Sequence, residues 1–293
     1  MSTPQPGILA PAPGFSRYLE FSASSDSDPV AALKALAARA INEDIVIGLG
    51  PGLVQKLGHP IEGLRPLPAI SGPGCEIPST QTDIWFWVRG DDRGWITHKA
   101  RAFSQMLKPA FNLVRNVDGF TFDQGLDLSG YVDGTENPEG EDAFEAGIVQ
   151  GAGKGLDGSS FVATQQWVHD LDHFDTLSEA ERDDTIGRRI RDNEEFDEAP
   201  ASAHVKRTAQ ESFDPEAYIV RRSMPWADAS GEGLMFVAFG KTLDAFEVQL
   251  RRMAGLEDGI IDGIFRFTRP ISGSYFWCPP VSNGCLDFTA IGL

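Results

Sequence analysis

The sequence has few cysteines and no long hydrophobic run. Of its 293 residues only Cys75, Cys278 and Cys285 are cysteine, and they form no CxxC pair. This usage argues against a disulfide framework or a thiolate zinc site and is typical of a reducing compartment. No apolar stretch reaches the ~18–20 residues that a membrane helix needs, and residues 1–14 lack the pattern of a secretory signal. We therefore expect a cytoplasmic protein without a membrane partner.

Basic residues are also scarce. Lysine and arginine number 25 against 43 aspartates and glutamates, which gives a formal net charge of −18. Such a surface repels phosphate backbones and anionic lipids, so we expect no nucleic-acid partner. The 41% of hydrophobic residues excludes a chain that is mainly disordered. Cations and neutral aromatic molecules remain acceptable partners.

Hydrophobic periodicity predicts the same order of elements in two halves of the chain. In the first half we predict strands at Phe15–Ser22, Asp44–Leu49, Asp83–Val88 and Phe111–Phe122, and helices at Asp28–Ile41 and Gly94–Leu107. In the second half we predict strands at Ser159–Val168, Tyr218–Arg222 and Gly233–Phe239, and helices at Ser178–Ile190 and Leu243–Met253. The pattern predicts an α+β fold of two ferredoxin-like halves, with antiparallel sheets flanked by helices. We place the domains at 1–145 and 146–293, with Glu139–Gly158 as the linker.

Two short motifs have the letters of known sites without their context. Gly153–Gly158 reads GxGxxG, but a dinucleotide site needs a strand before it and a helix after it, and here a strand follows. We interpret it as flexible linker. His169 and His173 have the i, i+4 spacing of a helical metal site, but they follow a strand and lack the glutamate of HExxH. We interpret both as ordinary surface or inter-strand histidines.

A few single residues could serve a ligand, although each also has a structural explanation. Asp133 lies in a tight loop of glycine, asparagine and proline, where an Asx-turn is the alternative. His204 could ligate iron, but a lone histidine is more often structural. Arg221 ends an apolar strand, a usual place for a solvated or paired arginine. Leu234 and Phe236 share one side of a strand, where core packing is the default.

Taken together and in order, these segments resemble the dye-decolourising (DyP-type) peroxidase family. The resemblance is carried by the GxxDG signature in Gly130–Pro138 and by Trp167–Leu171, Ile186–Arg188, His204, Ile219–Arg221 and Gly233–Phe239. It covers essentially the whole chain and is strongest to the signal-less bacterial branch called class B, which includes the YfeX-like members. It implies a fold of the dimeric α+β barrel superfamily and one haem b per chain, bound mainly by the C-terminal half.

The resemblance also implies which residues bind the cofactor. His204 matches the proximal iron ligand, and Glu216 resembles the carboxylate that supports this ligand. Arg188 matches a residue that pairs with a haem propionate, for which a guanidinium offers a bidentate clamp. The distal loop would contact the cofactor through Gly134, Thr135 and Glu136.

On the distal side, the resemblance assigns the reacting groups. Asp133 and Arg221 match the distal pair, in which the carboxylate moves a proton and the guanidinium stabilises negative charge on the peroxide. Leu234 and Phe236 match apolar residues over the distal face. Many relatives have asparagine two residues after the distal arginine, where this chain has Ser223. Serine can still donate one hydrogen bond, but with a shorter reach.

The function that follows is a haem peroxidase. The resemblance implies that it reduces hydrogen peroxide through a ferryl intermediate and oxidises dyes, phenolic compounds and other small aromatic donors. It further implies a homo-oligomer, a dimer or larger. The alternative is a haem-binding protein for haem delivery, iron handling or porphyrin modification, with incidental peroxidase turnover. The pair Asp133 and Arg221 favours turnover, because a carrier needs neither a proton shuttle nor a guanidinium that stabilises an anion.

Overall fold

The computed structural model describes residues 2–25, 27–108 and 110–293. The strands are β1 (Phe15–Ala23), β2 (Ile45–Leu49), β3 (Ile70–Gly72), β4 (Cys75–Ile77), β5 (Ile84–Gly90), β6 (Phe111–Phe120), β7 (Ser160–His169), β8 (Val220–Arg221), β9 (Met224–Asp228), β10 (Gly231–Gly240), β11 (Thr268–Pro270), β12 (Ser274–Cys278), β13 (Val281–Ser282) and β14 (Cys285–Leu286). The helices are α1 (Pro6–Leu9), α2 (Val30–Ala37), α3 (Pro51–Lys56), α4 (Arg93–Leu107), α5 (Gly140–Gly147), α6 (Leu171–Thr176), α7 (Glu179–Ile186), α8 (His204–Arg207) and α9 (Asp244–Met253). Short 3₁₀ turns lie at Gln210–Ser212, Gly263–Arg266 and Thr289–Ile291.

The main sheet closes into a barrel. Its strands follow the order β7, β12, β2, β5, β1, β6, β9, β10, and β10 pairs back with β7. Neighbouring strands are antiparallel, and β11 and β8 extend the edges of β7 and β10. Two narrow seams complete the ring, where Leu49 pairs with Trp277 and Gly119 pairs with Trp226. The seams join two four-stranded sheets, one from each half of the chain.

Each of these sheets has the strand order of a ferredoxin-like unit. In the first half the order is β6, β1, β5, β2, and in the second it is β12, β7, β10, β9. In both halves this is fourth, first, third, second in chain order, with helices in the connections. The predicted fold class is confirmed.

Alternation along the strands builds two separate cores. Tyr18, Trp85 and Trp87 pack inside the barrel with Trp226 and Phe276. The residues that alternate with these along the strands, such as Leu19 and Phe86, face outward. They belong to a second core that includes the helices α2, α4 and α9. Because neighbouring strand residues point to opposite faces, a run such as 85–87 serves both cores at once.

The helices begin and end where local capping favours it. Asp92 caps α4 by accepting a hydrogen bond from the Trp95 N–H, and Ser178 and Glu181 form a capping box at the start of α7. The prediction extended α7 to residue 190, but Gly187 ends it in the left-handed conformation with φ +93°. A Cβ at Gly187 would collide with Val205, so α7 can pack closely against α8 only with glycine there.

Two parts of the sequence interpretation are wrong. The predicted linker Glu139–Gly158 contains α5, whose Ala143 and Ala146 pack into the barrel core, and the boundary placed at residue 145 falls inside this helix. The strand predicted at Tyr218–Arg222 is only β8, and β9 follows it after a break at residues 222–223. By contrast, Gly153–Gly158 is a loop followed by the strand β7, which agrees with its interpretation as a segment that is not a dinucleotide site.

Among the described residues, no helix is long and apolar enough to cross a membrane.

Candidate functional site

A cavity of about 530 Å³ lies against the outer face of the C-terminal sheet. The sheet lines it with Gln165, Trp167 and His169 of β7, and with Leu234 and Phe236 of β10. Other walls come from α8, from α9 and from the loop between β6 and α5. This loop brings residues 127–136, from just before α5, onto the surface of the second half.

His204 is the first residue of α8, and a buried carboxylate orients its ring. The Nδ1 atom lies 2.8 Å from Oδ2 of Asp262, whose side chain is fully buried. The other oxygen of Asp262 accepts a hydrogen bond from the Ile264 N–H at 3.0 Å, which fixes the carboxylate. The second ring nitrogen, Nε2, has no hydrogen-bond partner within residues 2–25, 27–108 and 110–293. Since His204 lines the cavity, this nitrogen is available as a ligand there.

The sequence prediction for the partner of this histidine is corrected by the structure. Glu216 is exposed and does not line the cavity, whereas Asp262 holds the imidazole. Asp262 is 58 positions away in sequence. No local motif marks it, so sequence reasoning had no signal with which to find it.

Asp133 and Arg221 meet at another wall of the cavity. The Nη1 atom of Arg221 lies 3.4 Å from Oδ1 of Asp133, and both side chains are about a fifth to a quarter exposed. Asn137 joins the loop that carries Asp133 to the strand β8 that carries Arg221. Its side-chain amide accepts a hydrogen bond from the Arg221 N–H at 2.8 Å and donates to the Arg221 carbonyl at 2.9 Å. A carboxylate and a guanidinium are thus held side by side, each able to contact the same small molecule.

A second, smaller cavity of about 340 Å³ lies behind this pair. Asp133 and Arg221 line both cavities, whereas Gly134 and Ser223 line only the smaller one. The Ser223 hydroxyl accepts a 3.4 Å hydrogen bond from the Val237 N–H. The structure therefore brings Ser223 close to the pair but places it outside the main cavity. Gly134 has a φ of +84°, a conformation that favours glycine.

Leu234 and Phe236 contribute to the apolar wall of the cavity, on the one face of β10 that strand alternation predicts for both. Phe236 packs against Phe246 of α9, with 5.5 Å between the ring centroids and a tilt of 36° between the rings. Directly across the sheet from Phe236, Gln165 also lines the cavity. Its Nε2 atom is buried and has no hydrogen-bond partner among the residues that the structure describes. Unpaired buried donors are costly, so this amide is suited to a ligand in the cavity.

Arg188 follows the end of α7 at Gly187 and is buried at the cavity edge. Its Nη1 donates to the Asn193 carbonyl at 2.8 Å, and its Nη2 contacts Glu136 at 2.6 Å and also Glu195. A ligand carboxylate at this guanidinium would have to share it with these two glutamates. Thr135 lies nearby and accepts a hydrogen bond from the side-chain amide of Asn193 at 3.0 Å.

Carboxylates dominate the charge around the cavity. Its lining includes six of them and two arginines, and the exposed ones are Glu136, Glu194, Glu195 and Glu211. Arg188 is already paired with two glutamates, and Arg221 faces Asp133. The mouth of the cavity therefore has a negative potential.

His169 is an inter-strand histidine, since it pairs with Thr268 of β11, and it also lines the cavity. It ends β7, whereas His173 is an exposed residue of α6, so the two do not share a helix. The Nε2 atom of His169 lies 3.0 Å from Oδ2 of Asp127. Burial opposes ionisation of Asp127, but hydrogen bonds from His169 and Ser129 outweigh it and hold the pKa of this carboxyl below its ordinary value. In the described part of the chain, no cluster of three or more histidines, cysteines or acidic residues could hold a metal ion by itself.

The donor set of the cavity fits a haem. His204 lines the cavity and a carboxylate holds one of its ring nitrogens, an arrangement that would make the other nitrogen a strong ligand for iron. A single protein ligand is sufficient for an iron that the porphyrin already coordinates. Apolar side chains, a buried guanidinium and the unpartnered Gln165 amide supply the contacts that a large amphipathic ring requires.

Comparison with known proteins agrees with this geometry. The family model "Dyp-type peroxidase, C-terminal" matches residues 124–283. The dye-decolorizing peroxidase of Mycobacterium tuberculosis is 31% identical over 246 residues, which cover 81% of this chain and 73% of that protein.

Solved structures agree as well. A dye-decolorizing protein from Vibrio cholerae superposes with a TM-score of 0.84 at 28% identity, over 93% of this chain and 96% of that one. A variant of DypB from Rhodococcus jostii, in complex with haem, superposes with a TM-score of 0.83 at 28% identity, over 94% and 95%. These relatives favour turnover over the haem-carrier alternative. The chain belongs to the Dyp-type peroxidase family and is a haem peroxidase, an oxidoreductase that acts on peroxide.

Proposed function

We propose that this chain binds one haem b in the main cavity and uses hydrogen peroxide to oxidise dyes, phenols and other small aromatic donors. The observation that carries the proposal is the pairing of His204 with Asp262, which leaves Nε2 of the histidine for the cavity. No cysteine is found among the described residues that line the cavity, which favours a haem held without thioether bonds.

When bound, the haem would supply the iron and the redox chemistry. His204 would hold that iron through Nε2. Asp262 would increase the basicity of the imidazole by accepting its Nδ1–H, and it would keep the ring from rotating. Arg188 would bind a propionate in competition with Glu136 and Glu195.

Asp133 and Arg221 would act on the peroxide. The carboxylate of Asp133 would accept the proton of one peroxide oxygen and return it to the oxygen that leaves. The guanidinium of Arg221 would stabilise the negative charge that develops while the proton is in transit. Leu234 and Phe236 would limit the water that competes for these contacts, and Ser223 would act on the pair only from the smaller cavity.

The donors would be oxidised at the mouth of the cavity, where the negative potential favours cationic and neutral aromatic molecules over anions. We further propose a cytoplasmic homo-oligomer. The three free cysteines, two of which are buried, support a reducing compartment.

The test is a reconstitution with haem b. Wild type and the double variant Asp133→Asn/Arg221→Leu are titrated with haem and then assayed for peroxide-dependent oxidation of a phenol at equal haem content. We expect saturation at one haem per chain for both proteins and turnover only for wild type. Saturation at another ratio would contradict the stoichiometry, and equal turnover would contradict the roles of the two residues.

A further inference from the structure

The side chains of Asp127, His169 and Thr268 form a hydrogen-bonded chain. They line the end of the main cavity where β7 and β11 pair. Oδ2 of Asp127 lies 3.0 Å from Nε2 of His169, and Nδ1 of His169 lies 2.6 Å from the hydroxyl of Thr268. The side chains of His169 and Asp127 are only 4% and 14% exposed. The pair therefore lies where water replaces a lost partner poorly.

The other partners of this chain set the direction of its hydrogen bonds. Asp127 is an acceptor, because its Oδ1 receives hydrogen bonds from the N–H and the hydroxyl of Ser129. The Nε2 of His169 must then carry a proton and donate to Asp127. Ser129 thus supplies the donors for Oδ1 of this carboxylate, and His169 supplies the donor for Oδ2.

Asp127 organises the loop that carries Asp133. Its N–H donates to the Tyr131 carbonyl at 2.9 Å, its carbonyl accepts from the Gly130 N–H at 2.9 Å, and the Asp133 N–H donates to the Gly125 carbonyl at 3.2 Å. Residues 125–133 are therefore a loop closed by backbone hydrogen bonds, with the Asp127 carboxylate held inside it by Ser129. Of the described residues outside this loop, only His169 donates a side-chain hydrogen bond to that carboxylate.

Two further contacts hold this loop and the segment that follows it. The Tyr131 hydroxyl donates to Asp183 at 2.6 Å, and Asn137 binds the backbone of Arg221. The beginning of the loop is joined to the segment after β6, because the N–H groups of Gly125 and Leu126 donate to the Phe122 carbonyl at 2.9 Å. The contact of Asp127 with His169 joins the loop to β7, and the contact of Asp133 with Arg221 joins it to β8.

We infer that His169 is a positioning residue for peroxide activation. By donating to Asp127, it fixes the loop that holds Asp133 beside Arg221, and it does not itself contact the reacting atoms. This inference rests on the proposed role of Asp133. It predicts that His169 affects the peroxide step through Asp133 and has no separate effect on the aromatic donor.

The experiment compares His169→Leu, which removes the donor, with His169→Gln, whose amide can still donate to Asp127. His173→Leu is the matched control, because His173 is an exposed histidine four residues away. Hydrogen exchange of the amides of residues 125–133 is measured first, on holoprotein of equal haem content. We expect faster exchange in His169→Leu, and wild-type exchange in His169→Gln and His173→Leu. Unchanged exchange in His169→Leu would overturn the inference.

Kinetics then separates positioning from a general loss of structure. We expect His169→Leu to lower kcat/KM for peroxide by on the order of tenfold to a hundredfold, as misplaced reacting groups do, with an unchanged KM for the donor. In an Asp133→Asn background the same change should cost less than about twofold, because the two residues act as one unit. Additive losses would overturn the inference and leave the role of Asp133 intact. Full peroxide activity in Asp133→Asn alone would instead overturn the proposed function and this inference with it.

Discussion

The buried carboxylate of Asp262 lies 2.8 Å from Nδ1 of His204 and fixes which nitrogen of the ring faces the cavity. The two residues are 58 positions apart and are brought together because the turn at Gly263–Arg266 packs against α7 and the Gly263 N–H donates to the carbonyl of Ser202, two residues before His204. We expect Asp262→Asn to weaken haem binding or activity by about 10–100-fold, the usual cost of losing such a partner. It should also raise the reduction potential of the haem iron, because the imidazole donates less charge. Haem titration and a redox titration measure both effects, with exposed Glu216→Gln as the control that should change neither.

Arg221 and Asp133 should differ in their importance. With Leu234 and Phe236 beside them, developing charge on peroxide has little solvent to stabilise it, so loss of the fixed cation should cost ~10²–10³ in rate. Loss of a proton carrier can cost ~10²–10⁴, but water can partly replace it. We therefore expect Arg221→Leu to slow the spectral change after mixing with peroxide more than Asp133→Asn does. Stopped-flow absorbance on haem-loaded variants measures this step. The reverse ranking would mean that proton transfer limits the reaction.

Substitution of Arg188 tests whether this residue, at the edge of the cavity, binds a haem propionate. If it binds a propionate, Arg188→Leu leaves that carboxylate unpaired and also releases Glu136 and Glu195, so the variant should retain less haem. Lysine should restore retention only in part, because it offers a point charge in place of a planar fork. Haem dissociation to an excess of a scavenging apoprotein gives the rate. Equal rates in wild type and Arg188→Leu would exclude the contact.

The negative mouth of the cavity should select donors by charge. We expect kcat/KM for a cationic aromatic donor to exceed that for an anionic donor of similar size and potential, and to fall as salt is added. Glu194→Gln and Glu211→Gln should reduce this salt dependence, since both carboxylates line the mouth without binding Arg188. A neutral phenol is the control that salt should leave unchanged. Faster oxidation of the anionic donor would contradict the electrostatic argument.

The Asp127 pair should appear in the dependence of stability on pH. Because the folded pKa of Asp127 lies below its ordinary value, the pair adds stability above the unfolded pKa of ~4, and this stability is lost as the pH falls through the folded value. Wild type should therefore lose melting temperature more steeply than Asp127→Asn as the pH is lowered from about 5. Asp172→Asn, at an exposed carboxylate, is the control that should follow wild type. Parallel curves for wild type and Asp127→Asn would show that the pair adds no pH-dependent stability.

Much of the fold could be predicted because strand alternation and helix periodicity are local. Trp85, Phe86 and Trp87 form an apolar run that predicts a buried strand in the sequence, and the structure shows that they alternate between the two cores. The strand β12 was missed, although Tyr275, Phe276 and Trp277 are all buried, because a short run without a repeated partner is ambiguous. The sequence predicts a linker where α5 lies, because the glycines and acidic residues of this segment mask the helical pattern of the two alanines that the helix buries.

The candidate site was predictable only where a motif exists. The loop around Asp133 and the strand end at Arg221 have recognisable sequence surroundings, and the structure brings them together. Asp262 and Gln165 have none, since each acts through a contact that forms only in the folded chain. In the sequence His169 stands out only for its i, i+4 spacing from His173. In the structure its hydrogen-bond partners are Asp127 and Thr268.

The central claim is that His204 holds the haem iron through Nε2. His204→Gly removes the ligand but leaves Asp262 and the space of the ring, so free imidazole can take its place. We expect haem-loaded His204→Gly to have a shifted Soret band that returns to the wild-type position as imidazole is added, with Asp262→Asn weakening that rescue. A Soret band of His204→Gly that matches wild type before any imidazole is added would contradict the assignment.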